Sequence, residues 1–376
     1  MKKRTFLLAL ALTALVFVGY AVAAGGDASD PLVSLDFLSS VFRPRAEETI
    51  DKAITKADTA ALDDAKARWN AAVAAAEASA GSDYTAIFTE TRVKQDDILS
   101  GVTGLQVLPL AGELTVSFSA GTVVDVTDGS EAASGSALKT NHRYLVAEDT
   151  TALFTCASRT AVLSYCGSYH FALSDKPDRN AMADALKSLS LFRGTGSGTG
   201  SGYELEKAPT RAEALVMLIR MLGEEGSALA CTASHPFIDV PDWCAPYVAY
   251  AYEKGYSNGV GTDSLGYSYF GTQQTASAVM YAEFMLRALG YSSTAATDIS
   301  DALDRAVTAG VLTAGERTAL QSSDFLRADV VYLSYYALSA RTSGGAALSQ
   351  KLIDAGVFTA ADYRAAQALV KTARLA

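Results

Sequence analysis

The sequence predicts a multidomain α+β chain: a helical N-terminal segment, a small antiparallel β module, and an all-α C-terminal half built from three repeats. Three patterns carry that expectation. Apolar residues recur at helical spacing between Pro44 and Ala80 and alternate with polar ones between Val93 and Phe171. One helix ending is then written twice after Lys176, and a third helix of the same kind follows.

The chain opens as a secretory signal peptide would. Lys2, Lys3 and Arg4 precede an apolar run from Thr5 to Val18, and Ala21-Val22-Ala23 supplies small residues for cleavage. The run is shorter than a spanning helix needs. Residues 1–24 are therefore expected to be removed, leaving no membrane segment, and residues 25–43 form a polar leader. Losing those three cations takes the formal charge from −10 to −13. Such acidity argues against nucleic acid and against anionic lipid as partners.

Residues 44–90 read as a helical spacer or hairpin. Ile50, Ile54, Ala61, Leu62, Ala65, Trp69 and Val73 fall near helical spacing, and the charges between them are solvated faces. Residues 91–175 read as the β module. Val107, Leu114, Val116, Phe118, Val123, Val124 and Val126 alternate with polar residues, and Gly101, Gly104, Gly112, Gly121 and Asp128-Gly129 mark turns.

Cys156, Cys166, Cys231 and Cys244 lack the spacing of a zinc site. Their short separations admit Cys156–Cys166 and Cys231–Cys244 as local disulfides, and four small buried hydrophobes are the competing reading. No metal or cofactor is expected. The run from Gly194 to Gly202 lacks G-x-G-x-x-G spacing and has no Lys-Ser/Thr behind it, so it reads as a flexible loop. The histidines, His142, His170 and His235, form no H-E-x-x-H motif. The chain is not expected to be an enzyme.

The C-terminal half is defined by repetition. A helix beginning at Pro209-Thr210-Arg211-Ala212-Glu213 ends in Ile219-Arg220-Met221-Leu222-Gly223, and Leu286-Arg287-Ala288-Leu289-Gly290 repeats that close. A third helix starts at Arg327-Ala328-Asp329 and ends in Tyr336-Ala337-Leu338. Thr210 and Glu213 have capping-box spacing, worth about 1 kcal/mol. The helix after them is apolar nearly all round, which makes it central. The tyrosines between Tyr247 and Tyr291 read mainly as core at helical spacing.

At Thr210-Arg211-Ala212-Glu213, Phe237-Ile238-Asp239-Val240-Pro241-Asp242-Trp243 and Gly255-Tyr256-Ser257-Asn258-Gly259, the chain resembles the S-layer homology domain. The resemblance spans 178–345 as three repeats, about 178–232, 233–293 and 294–345, with 346–376 as a C-terminal helical cap. It implies a three-sided prism around a central helix bundle. It also implies non-covalent binding of secondary cell-wall polysaccharide or a peptidoglycan-linked glycan, through a pyruvylated amino sugar held between repeats. Arg211 stands where the family's groove arginine does.

A guanidinium fork suits a ketal carboxylate, and Trp243 offers an apolar face for a sugar ring. The glycan-binding candidates are thus Arg211, Asp239, Trp243 and Arg327. Their bland counterparts are a solvated helix start for Arg211 and core packing for Trp243. The second repeat has Ser277-Ala278-Val279-Met280 at the motif position, so its arginine is missing. The expected function is anchoring of a secreted surface protein to the bacterial wall. The alternatives are a self-associating S-layer or appendage subunit, and a wall-glycan-processing enzyme with its site in the β module.

Overall fold

A computed structural model describes residues 38–80, 83–196, 198–291 and 299–376. The signal peptide and most of the leader lie outside the described residues. No helix among them is long and apolar enough to cross a membrane.

The chain divides into two compact units, Met1–Ser79 and Ala80–Ala376. Within the first, α1 (Arg43–Ala80) is one continuous helix preceded by a π-turn at Leu38–Phe42, with no hairpin. Ile50, Ile54, Leu62 and Trp69 on it are exposed. Its support comes from i,i+4 ion pairs, Arg43–Glu47 at 2.9 Å and Arg68–Asp64 at 2.7 Å, each worth about 0.2–0.5 kcal/mol.

The second unit starts with nine strands: β1 (Asp83–Lys94), β2 (Ile98–Val102), β3 (Gln106–Ala111), β4 (Leu114–Ser117), β5 (Val123–Asp125), β6 (Ser130–Ala132), β7 (Tyr144–Val146), β8 (Thr151–Cys156) and β9 (Thr160–Ala172). All pairings are antiparallel, in the order β4-β8-β2-β9-β3-β7-β5-β6, with β1 on β9. The first part of β9 lies between β1 and β3, and its last residues pair with β2. The bend falls at Gly167, whose φ of +120° and close approach to the Gly104 carbonyl exclude a side chain. After β6 the chain runs beside β4, with Gly135 N–H donating to Val116 O at 2.7 Å and Leu138 N–H to Leu114 O at 2.8 Å. The sheet is thereby nearly closed into a barrel around Leu99, Leu105, Val107, Val116, Phe154 and Leu163.

Ten helices follow among the described residues: α2 (Arg179–Ser188), α3 (Arg211–Met221), α4 (Glu225–Leu229), α5 (Ala245–Glu253), α6 (Ala278–Ala288), α7 (Ala302–Thr308), α8 (Ala314–Gln321), α9 (Arg327–Ala337), α10 (Leu348–Asp354) and α11 (Ala360–Leu369). Helices α3, α6 and α9 are buried on nearly every side in one core. Tyr281 of α6 meets Ser334 of α9 through a 2.8 Å hydroxyl hydrogen bond. Each fully buried Leu or Ile there contributes about 1.5–3 kcal/mol.

The expected fold class needs correction. The β part is not small: a nine-stranded, nearly closed sheet occupies the middle of the chain, with helices elsewhere. The C-terminal half is not an all-α prism either. It carries a hairpin of β10 (Gly261–Thr262) and β11 (Ser268–Tyr269), and Phe237 bridges to Ser268 in parallel. The physical reason is local: Gly261, Gly266 and neighbouring polar residues cannot sustain a helix, so Tyr267 lies half-exposed on the hairpin and not in a helical core.

Barrel and helices also share a polar seam. Arg92 of β1 grips Asp184 of α2 with two bonds of 3.1 and 2.7 Å, and Tyr203 O–H donates to the same carboxylate at 2.7 Å. Asn180 donates to Val93 O at 3.2 Å. Deeper in, Asp329 of α9 lies 3.0 Å from Arg159 and 3.8 Å from Arg179.

Candidate functional site

The best-defined site grows from the start of α3. Thr210 accepts from Glu213 N–H at 3.3 Å, and Glu213 accepts from Thr210 N–H at 2.7 Å, so the first turn is fixed at both ends of the box. Arg211 N–H donates to Gln274 O at 2.7 Å, tying that turn to the segment after β11. The Arg211 side chain is thereby aimed inward and is only 5% exposed.

Its guanidinium lies between two rings, 5.0 Å from the centre of Phe270 and 4.9 Å from that of Phe284. Nη2 donates to Ser257 Oγ at 3.0 Å and to Gly259 O at 3.3 Å, while Nε is buried without a partner. No carboxylate pairs with Arg211 among the described residues. Burial, aided by the neighbouring Arg287, lowers its pKa to about 10, against a small opposing pull from Asp239. It remains charged at neutral pH.

Around it is a pocket of about 150 Å³ lined by Arg211, Ser257, Asn258, Gly259, Glu283 and Arg287, among others. Arg287 Nε bonds Glu283 at 2.6 Å, and Arg305 engages the other oxygen of Glu283. Among the described residues the one carboxylate in the lining, Glu283, is already claimed by two guanidiniums, and Arg211 is left over. Such a pocket suits a small anion. Gly259 closes one wall; with φ at +81°, a Cβ there would sit 2.4 Å from the Phe237 ring.

Gly255-Tyr256-Ser257-Asn258-Gly259 also spells G-x-S-x-G. Ser257 follows the C-terminus of α5 and is not at a strand-to-helix elbow. Its hydroxyl accepts from Arg211, and no histidine lines the pocket. It is a guanidinium holder, not an activated nucleophile.

The other sequence candidates are scattered. Asp239 is used by the backbone: Phe270 and Gly271 N–H donate to it at 2.7 Å and Thr272 N–H at 3.1 Å. Burial alone would raise its carboxyl, but these donors outweigh it and hold the pKa below the ordinary 3.8. Its stabilisation is therefore complete above that ordinary value and disappears as pH falls through the depressed one. Asp239→Asn is expected to cost about 1 kcal/mol at neutral pH, a low figure because the carboxylate is only partly buried. Urea unfolding of the two proteins should converge on acidification; a difference that persists unchanged in acid contradicts this role.

Trp243 is 52% exposed and lies in neither the core nor the pocket lining. Arg327 is buried elsewhere, donating through Nε to Tyr203 O at 3.2 Å. Ala278 opens onto a different groove, whose lining includes Asp304 and Asp324 but no arginine.

All four cysteines are free thiols. Cys156 is sealed inside the barrel, whereas Cys166 lies on the outer face of β9, the alternate of inward Tyr165, and donates to Thr85 O at 3.5 Å. Two residues on opposite faces of a sheet cannot bridge. Cys231 and Cys244 have separate partners, Glu253 at 3.6 Å and Pro241 O at 3.6 Å. Burial pushes the Cys156 thiol up to about 12 and the Cys244 thiol to about 11, so both are inert near neutrality.

One group has a metal-type donor set among the described residues: Asp125, Asp128 and His142 on the barrel. His142 Nδ1 is 2.8 Å from Asp125, and Lys139 already neutralises Asp128, so the cluster clasps two loops together.

Sequence reasoning missed Arg287, Ser257, Phe270 and Phe284. Arg287 had a signal, since it repeats the place of Arg220 in the recurring helix close. The two rings had none, because their meeting depends on tertiary packing. Compared with known proteins, the chain matches no family model, and no curated protein matches it.

Proposed function

We propose that this chain holds a secreted protein at the bacterial cell wall by binding an acidic wall polysaccharide in the Arg211 pocket. The observation that supports it most is a buried guanidinium, stacked between Phe270 and Phe284, with a free Nε and no carboxylate partner among the described residues. The motif likeness at Thr210-Arg211-Ala212-Glu213 points the same way, toward a ketal carboxylate as the anion. The ligand supplies the missing counter-charge, and the small volume suits the ketal and not a bulky polyanion.

The test is co-sedimentation of the whole protein with purified walls, before and after mild acid removal of pyruvate ketals. Native walls should pellet the protein and stripped walls should leave most of it in solution. Equal pelleting by both would sink the reading.

A further inference from the structure

We infer that Asn258 is a deamidation site whose acidic product closes the Arg211 pocket from within, so that the hold on the wall lapses as the protein ages; the inference rests on the reading just given. The chain has four asparagines, and only Asn258 is followed by glycine. Of the others, Asn70 lies within α1, Asn180 is buried in α2, and Asn141 precedes His142. Glycine lacks the Cβ that would hinder its own backbone nitrogen, so Asn-Gly is where an asparagine amide is attacked most readily.

The local structure leaves that attack open. Residues 257–259 belong to no helix or strand, and Asn258 is exposed. Its side-chain amide makes no hydrogen bond among the described residues, and the Gly259 N–H meets only the Ser257 hydroxyl, at 3.3 Å. The glycine is also required by the fold, because its φ of +81° and the Phe237 ring exclude a side chain. The unpaired guanidinium of Arg211 favours the negative charge that the attacking nitrogen must acquire.

The Gly259 nitrogen gives up its proton and bonds to Asn258 Cγ. The bond from Cγ to the side-chain nitrogen breaks, and that nitrogen leaves with the proton as ammonia. Water then opens the resulting cyclic imide at either carbonyl, giving aspartate or its β-linked isomer. Water is the only co-reactant, and an amide has been exchanged for a carboxylate. The carboxylate appears beside the guanidinium that lacks one. Arg211 Nη2 donates to Ser257 Oγ and Gly259 O, the residues on either side, and Asn258 lines the same pocket. The new anion thus competes for the place of a ketal carboxylate.

The test compares fresh whole protein, the same protein aged in mildly alkaline buffer, Asn258→Asp and Asn258→Gln. Peptide mapping should find the mass gain of amide-to-acid exchange at Asn258 well before Asn70, Asn141 or Asn180. Aged protein and Asn258→Asp should bind native walls about tenfold more weakly than fresh protein. Asn258→Gln, whose longer side chain closes an imide ring poorly, should keep after ageing the affinity it had when fresh. Urea unfolding reads the pairing without any ligand: Asn258→Asp should raise the midpoint in the parent but not in Arg211→Met. If Asn258 keeps its amide under ageing that converts Asn141, or if Asn258→Asp binds walls as tightly as fresh protein, the inference is wrong and the Arg211 reading stands. An equal midpoint shift in both backgrounds also overturns it. If fresh protein does not bind native walls, both readings fall together.

Discussion

Arg211→Ala should weaken binding to native walls by roughly ten- to a hundredfold, since a hydrogen bond to a charged group contributes about 1.5–3 kcal/mol. Arg211→Lys should recover part of it, because an ammonium keeps the charge but not the planar fork. The more decisive comparison is Arg211→Met. A buried cation without a counter-ion is a burden to the fold, and an apolar side chain of similar length relieves it. The methionine variant should therefore unfold at the same urea concentration as the parent or a higher one, while its wall binding falls as far as that of Arg211→Ala. A residue kept at a cost to stability, and needed for binding, is what a ligand site requires. Unchanged wall affinity in both variants would reduce Arg211 to a helix-start residue.

The second large effect is expected at Asp329. Its carboxylate accepts from Leu326 N–H at 2.9 Å and lies between the guanidiniums of Arg159, on the turn before β9, and Arg179, on α2. Burial pushes its carboxyl above the usual range despite both cations. Removing it strands two guanidiniums, and Arg179 already has Nε and Nη1 without hydrogen bonds. Breaking a buried pair in this way costs about 3–5 kcal/mol. Asp329→Ala should lower the urea midpoint accordingly, and Asp329→Asn should fall between, since it retains the cap but not the charge. If both variants unfold with the parent, the cluster does not hold the barrel to the helices.

Legibility followed the range of the interactions. The Thr210–Glu213 box and the alternation through Val107, Val116 and Val123 are local, and a sequence displays them directly. β1 was obscured because its first residues are exposed on both faces, with Ile87 and Phe88 turned outward at an irregularity in its register with β9. They carry no period-two signal and read as a continuation of the helical spacer. The near closure of the barrel depends on residues 134–138 reaching β4, a pairing that no local pattern encodes. The hairpin at 261–269 hid behind its tyrosines, which have the composition of a core. Within the site, Arg211 could be found from its motif. That it would be the unpaired cation could not, because this depends on Arg305 arriving from α7 to occupy Glu283.

The seam between Arg92 and Asp184 gives the molecule a mechanical character. A strand that enters a sheet and is also bolted to a helix leaves no slack between them. Tension arriving at the N-terminal end of β1 runs along its ladder with β9 and passes, through the bidentate clamp at Arg92, into the helix that opens the second core. Pulling the sheet off the bundle then means breaking this two-bond clamp together with the Asn180 and Asp329 contacts.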